Sequence, residues 1–111
     1  MTNYRLTSRL LDLDAVQELM AFKYDLVCDV YTAYEQDLPV DEDPVALSLG
    51  PVTTASLVVL TTDTAITVSI NDADAPFTVE DVLILTGTDV ASALDVIAVD
   101  GAHIHVFLAG A

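Results

Sequence analysis

Apolar and polar residues alternate at period two along much of this chain, the rhythm of half-buried β-strands. From Met20 onward, Met20, Phe22, Tyr24, Leu26, Cys28 and Val30 share one parity, while Ala21, Lys23, Asp25, Val27, Asp29 and Tyr31 share the other. Read at helical spacing, Val16, Leu19, Met20 and Lys23 give no apolar stripe beyond about one turn. One long strand is therefore expected, with Tyr31 and Tyr34 near its frayed end. An earlier strand follows from Tyr4, Leu6, Ser8 and Leu10 set against Arg5, Thr7 and Arg9. Between the two, a short helical turn is expected near residues 12–18, capped by Asp12 or Asp14.

From Glu35 to Pro44 the alternation gives way to Asp37, Pro39, Asp41, Glu42, Asp43 and Pro44, which predicts a charged loop. Short β-rich runs follow at residues 45–49, 56–62, 65–70, 77–79, 82–86, 94–99 and 104–108. Turn signals close them: Gly50-Pro51, Asp63, Asn71 to Asp74, Thr86 to Asp89, and Asp100-Gly101. Gly, Asn and Asp tolerate left-handed backbone, and Asp100-Gly101 between alternating runs predicts a two-residue hairpin. Many short strands with few helix formers predict an all-β chain: a single antiparallel β-sandwich domain spanning 1–111, jelly-roll-like in architecture. No internal repeat is evident.

Composition sharpens this picture. The chain has 111 residues, 53% of them hydrophobic, so a packed core is expected and some apolar surface should remain for partner subunits to cover. Against 18 acidic residues stand three cations, Arg5, Arg9 and Lys23, for a net charge of −15. Binding nucleic acid requires many cations to neutralise phosphates, and an anionic membrane surface makes a similar demand, so neither is an expected partner. Such acidity matches proteins adapted to high salt, although it also serves to solubilise an apolar body. A lone cysteine, Cys28, permits no intrachain disulfide or thiolate zinc cluster and reads as a small core residue. The start of the chain, Met1 to Leu13, lacks a signal-peptide pattern.

Candidate chemistry is sparse. His103 and His105 stand two apart in the last strand, on one face beside Phe107, but sequence spacing identifies no third ligand, and no metal is expected. Asn71, Asp72 and Asp74, or Asp41, Glu42 and Asp43, offer oxygen donors for calcium without matching an EF-hand loop. Ser56 and His103 lack the turn that presents a nucleophilic serine, no carboxylate pair stands out, and the four glycines are scattered, so no catalytic residue, cofactor or enzymatic activity is expected. Tyr31 and Tyr34 suit a contact that is partly apolar and partly wet, and Arg5 and Arg9 suit the acidic loops of a neighbouring copy.

The stretch from Leu57 to Ala109 resembles small virion proteins of tailed phages and archaeal tailed viruses. The likeness lies in a strand ending in Thr62-Asp63, a strand from Ile66 to Asn71, the run Leu85-Thr86-Gly87 and a closing strand from Val106 to Gly110. It implies a jelly-roll-like sandwich in a virion, a non-enzymatic structural protein that oligomerises and decorates or connects the capsid, tail or baseplate. Other virion structural proteins would be its partners, with Arg5, Arg9, Tyr31, Tyr34 and Phe107 at the interfaces. The acidity and scarcity of lysine depart from ordinary phage proteins and fit a halophilic host. The alternative is a calcium- or carbohydrate-binding β-sandwich module, such as a receptor-binding tip.

Overall fold

The computed structural model describes residues 2–12, 17–71 and 76–111, and within the first two strands the side chains of residues 5–7, 23, 25 and 28. The described residues form ten strands: β1 (Thr2–Asp12), β2 (Gln17–Cys28), β3 (Val30–Leu38), β4 (Val45–Ala46), β5 (Ala55–Thr62), β6 (Ile66–Ile70), β7 (Phe77–Val79), β8 (Val82–Ala91), β9 (Leu94–Ile97) and β10 (Ala102–Gly110). β1 and β2 form a separate antiparallel ladder, and the other eight build two four-stranded antiparallel sheets, ordered β3-β10-β5-β8 and β4-β9-β6-β7.

The pairing is nested: β3 with β10, β4 with β9, β5 with β8, and β6 with β7. This is one long hairpin rolled up, and rolling brings β10 beside β5 and β9 beside β6. The result is a jelly roll, a β-sandwich made from two Greek keys. Alternate residues of both sheets fill the space between them. Val58, Leu60, Val68, Val96, Ile104 and Leu108 are completely buried there, with Ile66 and Leu94 nearly so.

Several sequence expectations need correction. β1 runs through Asp12 and β2 begins at Gln17, so the ends of the expected helical turn are strand, and residues 13–16 lie outside the described residues. The long strand through Val30 breaks at Asp29, whose N–H donates to the Gly110 carbonyl at 3.1 Å. That bend moves the chain from the ladder into the sandwich: Cys28 packs on the outside of the first sheet, while Val30 packs against the core between the sheets. Tyr31 and Tyr34 lie within a full nine-residue strand, and the acidic loop starts only after Leu38.

Two turn signals also have different outcomes. Gly87 and Asp89 do take positive φ, 144° and 51°, but as an irregularity inside β8. Pairing with β5 stops at Thr86 and resumes at Ala91, four residues bulging opposite Ser56. The bulge is tied down where Thr54 Oγ1 donates to Asp89 Oδ1 at 3.0 Å. Asp100-Gly101 does turn the chain, with Gly101 at φ 75° and its N–H donating to the Ala98 carbonyl. It joins β9 to β10, which belong to opposite sheets, so it is a crossing between layers and not a hairpin.

Candidate functional site

The outward residues of the β3-β10-β5-β8 sheet fall in rows set by register. Tyr31, Ala109, Leu57 and Thr86 make one row; Ala33, Phe107, Val59 and Ile84 the next; Glu35, His105, Thr61 and Val82 a third, with Asp37 opposite His103 beyond. The first two rows are chiefly apolar. By contrast, the outward positions of the second sheet include Thr67, Ser69, Thr78, Asp95 and Ile97. A sandwich needs only its inner faces apolar, so an apolar outer face marks a surface with a use.

Part of that surface is covered by the base of the β1-β2 ladder. Leu6 and Cys28 pack with Leu57, Val59, Phe107 and Ala109, burying Cys28 as a small core residue. A groove of about 290 Å³, lined by Arg5, Leu6, Leu57, Val59 and Phe107, remains between ladder and sheet. Farther out, Val82 is more than half exposed and Ile84 is 37% exposed.

Beside the apolar rows lies a histidine–carboxylate cluster. Because side chains alternate along a strand, His103 and His105 emerge on the same side of β10, and the antiparallel register sets Glu35 directly opposite His105 and Asp37 opposite His103. Glu35 Oε1 lies 2.9 Å from His105 Nε2 and 3.2 Å from His103 Nε2. His103 Nδ1 lies 2.5 Å from Asp37 Oδ1. The imidazoles meet edge to face with centroids 5.3 Å apart. One donor atom from each of Glu35, His103 and His105 falls within 4.8 Å of the others, the one such group of three among the described residues.

Electrostatics follow the geometry. Hydrogen bonds that the His103 ring donates to the carboxylates of Asp37 and then Glu35 hold its pKa above the ordinary value. Asp63 Oδ1 accepts the His103 backbone N–H at 2.8 Å, which lowers the Asp63 pKa and fixes the start of β10. Asp63 is thus part of the frame on which the cluster stands.

The structure separates the residues that the sequence singled out. Tyr31 and Phe107 come together on the outer face, stacked at 6.2 Å. Tyr34 turns inward, packs against the main core and donates its hydroxyl to the Ser48 carbonyl at 2.9 Å; its burial raises its pKa. Arg5 is engaged within the ladder, where its guanidinium grips Asp25 at 2.6 and 3.1 Å, lowering the carboxyl pKa and raising its own. The side chain of Arg9 lies outside the described residues. Of the loop donors considered for calcium, Asn71 is occupied: its Oδ1 accepts from the backbone N–H groups of Ser92 and Ala93, and its Nδ2 donates to the Val90 carbonyl. Asp72 and Asp74 lie outside the described residues, and Asp41 Oδ1 accepts the Asp43 N–H in a local turn. Sequence reasoning missed Glu35 as the neighbour of both histidines. Only the β3-β10 register carries that information.

Comparison of the chain with protein-family models, with curated proteins and with solved structures finds no match.

Proposed function

We propose that this chain is a non-enzymatic structural subunit that associates with copies of itself. On the strength of its resemblance, the proposed setting is the virion of a tailed virus, where it decorates or connects larger assemblies. The observation that carries the reading is the contrast between the two outer faces, one apolar and, beyond the part that the β1-β2 ladder covers, exposed at Val82 and Ile84, the other mostly polar. The occupant of that exposed part is a second copy of this chain. An isolated two-stranded ladder is marginal in water, and the β1-β2 ladder, with strands of 11 and 12 residues, gains support when a neighbour packs on it. The same face on two copies is self-complementary about a two-fold axis.

Charge sets the condition. At −15 per copy the subunits repel one another, so association strengthens as salt screens that repulsion. Light scattering coupled to size exclusion is expected to show an oligomer, larger or more populated in multimolar than in dilute potassium chloride. Ile84→Lys makes the chain less acidic, which by charge alone favours association. Loss of apolar burial worth about 1–2 kcal/mol is nevertheless expected to weaken the oligomer roughly tenfold or more, with unchanged far-UV circular dichroism. A wild-type monomer at both salt concentrations would overturn the proposal.

A further inference from the structure

We propose that Glu35, His103 and His105 form a binding site for one divalent transition-metal ion of the zinc class. The case begins with the donors. Two imidazoles and one carboxylate suit zinc and its neighbours in the first transition row, whereas calcium and magnesium select all-oxygen sets. Tetrahedral zinc with nitrogen and oxygen ligands at about 2.0–2.1 Å separates its ligand atoms from one another by roughly 3.3 Å. Glu35 Oε1 already stands 3.2 and 2.9 Å from the two Nε2 atoms, so small side-chain rotations bring three donors around one ion. Three protein ligands leave a fourth position open to solvent, and the half-exposed to exposed side chains give the ion a path in.

The surroundings fit as well as the donors. A metal-binding histidine ordinarily engages its other ring nitrogen with a carboxylate or carbonyl, which fixes the tautomer and orients the ring. Asp37 does this for His103: it takes Nδ1 and leaves Nε2 aimed at Glu35 and the ion. All four side chains rise from two hydrogen-bonded strands, a rigid base for a preorganised site. Asp63 anchors β10 at the His103 amide from a third segment. Two carboxylates serve the two histidines unevenly. Here one glutamate oxygen is shared by two imidazoles while a second carboxylate supports one of them from behind.

The test is titration of the untagged full chain with zinc by calorimetry, and with cobalt by visible absorption, in 0.5 M potassium chloride to suppress loose ion gathering by the acidic surface. One ion per chain is expected, with cobalt giving the absorption of a low-coordinate site that zinc then abolishes. His105→Gln and Glu35→Gln, both at exposed positions, should weaken binding at least tenfold while circular dichroism stays unchanged, and Asp37→Asn should weaken it about 10- to 100-fold through ring orientation. Asp41→Asn, in the acidic loop, should have no effect. Absence of binding would overturn the proposal. So would several ions per chain with equal affinity in wild type and the His105→Gln variant, the signature of an acidic surface without a site. The oligomer measurement is separate, so zinc binding and self-association stand or fall independently.

Discussion

Gly110 occupies the position where the end of β10 passes closest to the chain entering β5. A Cβ added there would collide with the carbonyl oxygen of Thr54 and crowd Ala55 Cα at 3.0 Å and Ser56 N at 3.1 Å, all of them backbone atoms that no rotamer change moves. Gly110→Ala is therefore expected to destabilise the protein by about 1–3 kcal/mol, as overpacking does in other cores. Urea denaturation measures it, and a change within about 0.5 kcal/mol, the level of an ordinary surface substitution, would show that the two segments part freely. At this scale the sequence was only half readable. The shared face of His103 and His105 follows from strand parity, but Glu35 is 68 positions away from His103 and stands in a charged segment that resembles a loop. Glu35 and Asp37 are strand residues on the solvent side of an edge strand, where charge is tolerated and even protective. Tyr34 was misleading for a similar reason: tyrosine suits an interface, but alternation placed this one on the inward side and Tyr31 on the outward.

The β1-β2 ladder touches the sandwich at its base, where Leu6 and Cys28 meet the outer face. Register sets positions 4, 6, 8 and 10 opposite 26, 24, 22 and 20, so the apolar parities read separately in the two strands coincide. On the other parity, Arg5, Thr7, Lys23 and Asp25 are exposed. Cys28 is 5% exposed under this contact and serves as a reporter for it. Leu6→Ala removes apolar contact worth about 1–2 kcal/mol and is expected to speed reaction of Cys28 with a thiol reagent roughly tenfold. The sandwich itself should unfold at nearly the same temperature, and an unchanged labelling rate would mean that the ladder does not shield the thiol. Elements were the most legible level of the sequence, because strand parity is local. Their ends were less so. Gly87 and Asp89 have the backbone that the sequence predicts, yet β5 recaptures the strand at Ala91. Gly101 turns as expected, but which sheet receives the next strand depends on contacts remote in sequence. Local residues encode a bend, whereas the partner across it is a property of the whole roll.

For the molecule as a whole, the radius of gyration is 15.0 Å, against about 13 Å for a compact chain near this length. The excess accords with a long ladder attached at one end. The nested pairing means that the outermost pair, β3 with β10, unites segments far apart in sequence, and β10 lies between β3 and β5. It also supplies Ile104, Val106 and Leu108 to the core. A chain stopping at Gly101 is therefore expected to show no cooperative thermal transition by circular dichroism, and a sigmoidal melt from that fragment would refute this role for β10. Long-range pairing of this kind folds slowly. On the ribosome, β10 emerges after the other strands of the roll, and it fills the middle of its sheet. Until it arrives, β3 and β5 stand as two open edges able to capture strands from other nascent chains. The charge of −15 acts in this interval too, since repulsion between neighbouring chains keeps those edges apart until each molecule has made its own closing strand.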